Sequence, residues 1–424
     1  MLNRRQFMSG AAAVVGLPLL ARTGTRKPAK SIIQIWMWGG ASHLDTFDPK
    51  PEAGSDFCGP LTKPIKTNVS GIRISQQFPL LAKQADKYSI IRSMTHGVNA
   101  HETASYLVQT GREIDGRHVY PAIGSVVSKL KGYDQGYTCS IPPYFVLTTP
   151  QGRFSKAGFL GTKYKPFITG GDPNKDPFLV DGFVVDGVDR ERQVRRRKLL
   201  KSFDSFGDRP DLRLNQMGHD RDNAYTQVLG EDLVTFDLST ESKKTREAYG
   251  RTWFGQACLM ARRLVEKGVP YITINYRGWD THKRHFQTVE RVHPDLDRGM
   301  AALLQDLSNR GLLDQTIVWW GGEFGRTPRI QLEAPWFGGR GHWGNCFSSV
   351  VAGGGFAGGT VVGASNRTGE EVASRPVHPQ DLLGSLYRLM GINPDAPLPN
   401  PMDLDIPIAA PASRAGRLHE IMEG

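Results

Sequence analysis

The sequence predicts an α/β fold, a three-layer α/β/α sandwich built around a mostly parallel sheet. Two observations predict it. Apolar, strand-like runs alternate with helical patterns along the chain, and several of those runs are apolar on both faces, as parallel strands covered by helices must be. At 424 residues the chain can bury a large core, and its length alone allows one large domain or roughly two to three smaller ones.

Strands are predicted at apolar runs that are bounded by Gly, Pro or polar clusters. These runs are Ser31 to Trp38, Tyr88 to Met94, Tyr144 to Thr148, Tyr271 to Tyr276, Thr316 to Trp320 and Phe347 to Ala352. The loop from Gly353 to Gly359 is predicted to link two strands rather than to hold a phosphate, because no Lys-Ser/Thr pair follows it.

Helices are predicted between these strands. The strongest signal lies in Arg246 to Lys267, where apolar residues recur at helical spacing before Gly268. The other predicted helices are Ala82 to Lys87, Glu102 to Thr110, Pro121 to Leu130, Asp189 to Phe203, His293 to Arg310 and Pro379 to Met390. Residues 397–424 are rich in Pro and Ala, which favours a loose tail on the surface.

The composition, with 39% hydrophobic and 22% charged residues, is that of a globular protein. The net charge of +11 predicts attraction to anionic molecules. Part of that charge lies in a basic block from Arg190 to Lys201, which has no aromatic residues within it. The block therefore favours a solvated helix face, and we expect no specific nucleic-acid partner.

The N-terminus predicts a Tat-type signal segment over residues 1–25. Arg4 and Arg5 precede a mild apolar run from Ala11 to Ala21, the pattern of a twin-arginine export signal. The run is shorter than the ~20 residues that a membrane span needs, and we expect no integral membrane span elsewhere. The protein is thus expected to use the Tat export machinery and to reach the periplasm or the extracellular space. An ordinary N-terminal helix is the alternative.

The four cysteines are widely spaced and form no C-x-x-C pair. A zinc ribbon or a thioredoxin-like site is therefore unsupported. Export would permit one or two disulfides. Cys258 lies on the apolar face of a predicted helix and is expected in the core.

Four polar clusters supply the candidate metal ligands. Three of them directly follow predicted strands, and in open α/β sheets ligands bind outside the carboxyl ends of the strands. Buried carboxylates would repel one another without a cation, so the clusters predict one or two divalent ions. Zinc is favoured by the imidazoles, and calcium or magnesium if carboxylates dominate. The candidate ligands are Asp45, Asp280, His282, Glu323 and His342. For Asp45 alone, an Asx-turn or a helix cap is the alternative.

A second cluster, His96 to Glu102, precedes the predicted helix that ends at Thr110. The free amides at a helix start attract anions, so His101 is a candidate proton donor or acceptor and Thr103 a candidate nucleophile. Arg112 and Arg326 are candidates to bind an oxyanion, because guanidinium matches phosphate and sulfate geometry. Hydrogen-bonded loop histidines and surface ion pairs are the alternatives.

These motifs, taken in order, resemble the DUF1501 family of exported bacterial proteins. The resemblance rests on WGGASHLDTFDPKP from Trp38, THGVNAHETASYLVQTGR from Thr95, GWDTH, GEFGRTP, GRGHW and the twin-arginine start. The family is similar to the alkaline phosphatase and sulfatase superfamily. The resemblance implies a single alkaline phosphatase-like domain over residues 26–424 with a metal site at the strand ends.

By the same resemblance, Asp45 stands where a first-strand metal carboxylate would be, and Asp280 with His282 resembles a later Asp-plus-His pair. Glu323 takes the position of a further carboxylate and His342 that of the last histidine. The expected function is an exported, metal-dependent hydrolase of phosphate or sulfate esters, acting on an anionic small-molecule or glycan ester. No Cys or Ser begins the helix before Thr110, so the alternative is a non-catalytic metal- or glycan-binding protein on the same fold.

Overall fold

An eight-stranded sheet runs through the part of the chain that the computed structural model describes, residues 27–149, 156–181, 190–203 and 231–422. The predicted signal segment, residues 1–25, lies outside these ranges. The strands are β1 (Ser31–Met37), β2 (Tyr88–Met94), β3 (Tyr144–Leu147), β4 (Phe167–Ile168), β5 (Tyr271–Tyr276), β6 (Thr316–Gly321), β7 (Phe347–Ala352) and β8 (Val361–Val362). Their spatial order is β8-β2-β7-β6-β1-β5-β3-β4.

Strand β1 lies at the centre of the sheet and pairs in parallel with β5 and β6. Ile35, for example, is in register with Ile274 on one side and with Trp320 on the other. Strand β7 is antiparallel to both of its neighbours, and the other pairs are parallel. The predicted mostly parallel sheet is confirmed.

The described ranges contain eight α-helices. They are α1 (Ser55–Cys58), α2 (His101–Thr110), α3 (Ile123–Val127), α4 (Arg190–Phe203), α5 (Lys243–Tyr249), α6 (Trp253–Glu266), α7 (His285–Asn309) and α8 (Pro379–Leu389). A 3₁₀ helix at Leu81–Lys87 takes the place of the short helix predicted there.

Alternate side chains of β1 enter two separate cores, which gives the fold its three layers. Ile33 and Ile35 pack in one core with apolar residues of α6 and α7. Ile32 and Trp36 pack in the other with residues of α2, α3 and α8. Because both faces of the strand are covered, its sequence is mostly apolar, as expected for a buried parallel strand, and its polar residues Ser31 and Gln34 are buried as well.

The single helix predicted at Arg246 to Lys267 is wrong in one respect: the segment forms two helices, α5 and α6. Gly250, with φ of 90°, ends the first. The side chain of Thr252 caps the second by accepting the N–H of Gly255 at 3.2 Å. Helix α7 begins at His285, earlier than the predicted His293, and contains Pro294.

The glycine-rich loop, the C-terminal tail and the cysteines complete the described fold. The Gly353 to Gly359 loop links β7 to β8, as predicted. Leu398, Ile408 and Leu418 are buried, so the described part of the tail packs against the domain. All four cysteines are free, and Cys258 lies in the core. Within the described ranges, no helix combines the length and the apolar character that crossing a membrane requires.

Candidate metal centre

Three segments that follow parallel strands meet at one edge of the sheet. Gly39 follows β1, Asp280 follows β5, and Glu323 follows β6. The N–H of Gly39 donates to Oε1 of Glu323 at 2.8 Å. Gly39 has φ of +107°, and a Cβ there would lie 2.3 Å from the backbone nitrogen of Asp280. A glycine is therefore what lets the first segment approach the second so closely.

Three imidazoles converge on the carboxylate of Asp280. Nε2 of His282 lies 3.0 Å and Nε2 of His342 lies 3.2 Å from Oδ1, and Nε2 of His101 lies 3.4 Å from Oδ2. In the described part of the chain, ligand atoms of His101, Asp280 and His342 all lie within 4.8 Å of one another, close enough to share a metal ion. Nε2 of His282 is also 2.8 Å from Nε2 of His342.

Two of these imidazoles are oriented by an acceptor at the other ring nitrogen. Nδ1 of His101 lies 2.7 Å from Oε1 of Glu323, and Nδ1 of His342 lies 2.7 Å from the carbonyl oxygen of Asn99. In its neutral form each ring then carries its proton on Nδ1 and presents the lone pair of Nε2 towards Asp280. Lone pairs that face a carboxylate require a proton or a cation between them, which is how metal-binding histidines are held.

The ionisation of the cluster reflects this geometry. Burial alone would lower the pKa of His101, but its hydrogen bonds with Asp280 and Glu323 and their charges raise that pKa to about 9. Burial opposes ionisation of Asp280, yet its hydrogen bonds with His101, His342 and Arg326 hold its pKa far below the usual range. Burial lowers the pKa of His282. Asp280 is therefore an anion that attracts positive charge.

The centre has a buried side and an open side. The side chain of Glu323 is fully buried, whereas that of Asp280 is 44% exposed. His101, His282 and His342 keep between 20% and 31% of their side-chain surface exposed. Phe324 packs against both His101 and His342, with ring centroids 5.0 and 4.6 Å away. Solvent or a substrate can thus contact the cluster from its exposed side.

Arg326 is not placed as the predicted oxyanion clamp. Its guanidinium is fully buried, and it donates to the carbonyl oxygens of Gly39, Gly40 and Arg340. Its Nη2 also lies 2.5 Å from Oδ1 of Asp280. A guanidinium whose donors are engaged in this way anchors the Asp280 carboxylate instead of binding a substrate anion.

Asp45 does not join the other predicted ligands. Its carboxylate is buried and lies 2.8 Å from Nε of Arg340 and 2.8 Å from Nε2 of His285. Despite its burial, these two partners hold its pKa well below the usual range. The positive charge that Asp45 requires is supplied by Arg340, so the ion pair rather than an Asx-turn or a metal ion accounts for its position.

The other predicted catalytic residues lie on or beside α2. Thr103 is in the first turn, half-buried, two residues after His101. Arg112 follows the helix, donates to the carbonyl oxygen of Pro407 at 2.6 Å and lies over the ring of Tyr120. Arg112 therefore holds the C-terminal segment. His96 lies behind the cluster, with Nε2 2.7 Å from the carbonyl oxygen of Glu323.

Three residues at the site were not identified from the sequence as functional: Asn99, His285 and Arg340. Asn99 lies in the second polar cluster and Arg340 in the GRGHW motif, so the signal was present in both cases. For His285 no local pattern gave a signal, because its hydrogen-bond partner Thr281 precedes the helix that begins at His285. Their atoms Oγ1 and Nδ1 are 2.6 Å apart.

Comparisons with known proteins identify one family. DUF1501, described as a protein of unknown function, matches residues 29–422. No curated protein matches the sequence.

Several solved structures are similar in overall arrangement. A protein in the alkaline phosphatase superfamily from Vibrio parahaemolyticus is 12% identical, with a TM-score of 0.39, and the match covers 93% of this chain and 70% of that one. The sulfatase PsFucS1 from Pseudoalteromonas sp. is 11% identical, with a TM-score of 0.36 and coverages of 88% and 69%. The alkaline phosphatase from the Antarctic bacterium TAB5 is 10% identical, with a TM-score of 0.37 and coverages of 86% and 99%. Similarities at this level support no statement about activity.

Proposed function

The chain belongs to the DUF1501 family, and we propose that it is a metal-dependent hydrolase of phosphate or sulfate esters. The observation that carries the proposal is the convergence of three imidazole Nε2 atoms on the carboxylate of Asp280. Imidazoles and a carboxylate gathered at a partly exposed point are the ligands of catalytic metal sites in hydrolases.

A divalent ion fits the residues present. His101, Asp280 and His342 would hold it, and His282 is a further donor beside them. Nδ1 of His282 and Oε2 of Glu323 are buried without a hydrogen-bond partner among the described residues. The cluster therefore contains polar atoms whose binding capacity the protein's own hydrogen bonds do not use. Zinc is favoured because imidazoles predominate, whereas calcium and magnesium prefer oxygen ligands. We propose one ion, because Asp45 is already neutralised by Arg340.

The chain's own residues would prepare this centre. Glu323 fixes the ring of His101 through Nδ1, and Arg326 fixes Oδ1 of Asp280. We therefore assign His101 to the ligand set instead of to proton transfer. A bound ion would supply Lewis acidity towards an ester oxygen and would make water nucleophilic near neutral pH. The side chains of the cluster are partly exposed and therefore accessible to an ester, and the net charge of +11 favours an anionic one.

The attacking group is either water or the hydroxyl of Thr103. Thr103 lies two residues after His101 in the first turn of α2, where backbone amides favour an anion. The variant Thr103→Val separates the two: it retains activity if water attacks and loses it if the threonine does.

We further propose that the protein acts outside the cytoplasm. The support is the twin arginine at Arg4 and Arg5, ahead of the apolar run from Ala11. Replacing both arginines by lysine is expected to retain the protein in the cytoplasm. Unchanged export of that variant would contradict the use of the Tat machinery.

The decisive experiment is an assay of the purified protein on aryl phosphates and aryl sulfates, with Zn²⁺, Mg²⁺, Ca²⁺ or Mn²⁺ added separately. Turnover that depends on one of these ions and is lost in Asp280→Asn is expected. Asp405→Asn, which changes an exposed carboxylate, is the matched control and keeps activity. No turnover with any ion, or full activity of Asp280→Asn, would refute the hydrolase.

One observation favours a second candidate, a non-catalytic metal- or glycan-binding protein. The residue at the start of α2 is His101, not a Ser or Cys that could act as a nucleophile. The ring nitrogens of His101 face Glu323 and Asp280. Tight binding of Zn²⁺ and of a sulfated oligosaccharide, with no cleavage of either ester class, would support this candidate over the hydrolase.

A further inference from the structure

A network of hydrogen-bonded, buried polar side chains lies beneath the candidate metal centre. Nε2 of His285 lies 2.8 Å from Oδ2 of Asp45, so its N–H donates to the carboxylate. Nδ1 of His285 then accepts the hydroxyl proton of Thr281 at 2.6 Å. Thr281, His285 and Asp45 are 5%, 1% and 1% exposed. Each of these side chains has the hydrogen-bond partner that its protonation state requires, so the network is complete.

One end of this network, Thr281, lies in the segment that carries two of the proposed ligands. Thr281 lies between Asp280 and His282, whose side chains approach each other to 3.0 Å on the metal side. The side chain of Thr281 is buried and its hydroxyl contacts Nδ1 of the buried His285, whereas Asp280 and His282 are partly exposed. The hydrogen bond therefore fixes the turn from its buried side.

The other end of the network, Asp45, contacts the segment that carries His342. Arg340, two residues earlier, is fully buried, and its Nε lies 2.8 Å from Oδ2 of Asp45. The backbone N–H of Arg340 also donates to the carbonyl oxygen of Thr281 at 3.1 Å. Asp45 is thus connected to both ligand-bearing segments without contacting the cluster itself.

We propose that Asp45, His285 and Thr281 form a positioning network that sets Asp280 and His282 for a divalent cation. The proposal rests on the metal centre proposed above and adds how that centre is held. Carboxylate–histidine–hydroxyl chains also serve as nucleophile triads. Here the hydroxyl is buried and directed away from the exposed side of the cluster, so a substrate does not reach it, and the network acts through the ligands.

The test compares Thr281→Val, which removes the hydroxyl at nearly constant volume, with Thr281→Ser, which restores it. Zn²⁺ affinity is measured by competition with a chromophoric chelator, and the visible spectrum of the Co²⁺-loaded protein reports ligand geometry. Thr281→Val is expected to bind Zn²⁺ about 10 to 100 times more weakly, the range for loss of an outer-shell partner, and to shift the Co²⁺ spectrum. Thr281→Ser is expected to match the wild type in both.

Circular dichroism verifies that each variant is folded, and His285→Asn breaks the same network at its next member should Thr281→Val not fold. Wild-type Zn²⁺ affinity and an unchanged Co²⁺ spectrum in a folded Thr281→Val or His285→Asn would overturn the network alone. Failure of the wild-type protein to bind either ion would overturn the metal centre and the network with it. Ester hydrolysis is not part of this readout, so loss of the hydrolase function leaves the network standing.

Discussion

Oε1 of Glu323 lies 2.7 Å from Nδ1 of His101, although the two residues are 222 positions apart in the chain. This contact joins the end of a central strand to the start of α2, and it decides which nitrogen of His101 faces Asp280. Carboxylates that hold a metal-binding imidazole in this way raise its basicity and fix its orientation.

Replacing this carboxylate by an amide is therefore expected to weaken metal binding. Glu323→Gln keeps the size of the side chain but removes the charge that favours the Nδ1 proton of His101. We expect Zn²⁺ affinity to fall about 10- to 100-fold, measured by chelator competition. The control Glu371→Gln alters an exposed glutamate and should leave the affinity unchanged. Wild-type affinity in Glu323→Gln would show that Glu323 does not support the site.

Arg326 should matter for stability more than for substrate binding. The variant Arg326→Ala leaves three buried main-chain carbonyls without this donor and removes one partner of Asp280. Leaving a buried acceptor unsatisfied typically costs about 1–3 kcal/mol, so the urea midpoint is expected to fall markedly. Arg329→Ala, at a 73% exposed side chain, should change stability by less than about 0.5 kcal/mol. An Arg326→Ala protein with native stability and only a raised KM would instead support the prediction that Arg326 binds an oxyanion.

Gly39 offers a test of the close approach between the segment that follows β1 and the segment that carries Asp280. Gly39→Ala would place a Cβ 2.3 Å from the nitrogen of Asp280. The matched control is Gly54→Ala, where φ is +93° but no atom lies within 4 Å of the new Cβ. Both variants carry the cost of a positive φ, about 1 kcal/mol. Only Gly39→Ala is expected to lose Zn²⁺ affinity, and equal affinities in the two would mean that the loop adapts without moving Asp280.

Sequence reasoning located the strands closely because their signal is local. Tyr271 to Tyr276 is an apolar run bounded by Pro270 and Gly278, and these bounds coincide with β5. The sequence also predicted that Asp45, Asp280, His282, Glu323 and His342 would lie together, in part because the carboxyl ends of parallel strands share an edge. Four of them lie around His101, at the start of α2, whereas Asp45 lies apart.

The sequence could not show which charges would neutralise one another. Asp45 is paired with Arg340, 295 residues away, and Arg326 is enclosed by carbonyl groups of two other segments. Nothing near either residue in the chain indicates these partners. The break between α5 and α6 was missed for a different reason: the apolar residues at helical spacing, Phe254 to Val265, all follow Gly250, so this pattern does not define where their helix begins.

His293 is fully buried between Trp279 and Phe78. Neither ring nitrogen has a hydrogen-bond partner among the described residues. Burial, opposed by the charge of Asp45 and assisted by that of His285, lowers the pKa of His293 to about 3. In the unfolded chain a histidine has a pKa near 6.5. The unfolded state therefore binds the extra proton, and the stability present above pH 6.5 is lost as the pH falls towards 3.

Between about pH 7.5 and pH 5 this one residue should remove roughly 2 kcal/mol of stability, because each pKa unit corresponds to about 1.4 kcal/mol. His293→Leu removes the titrating group, so the loss in the free energy of unfolding over that interval should be smaller by this amount. Urea midpoints at the two pH values measure it. His419→Leu, at an exposed histidine, should keep the wild-type dependence. If His293→Leu kept it as well, the imidazole of His293 would have to be protonated, or solvated, in the native state.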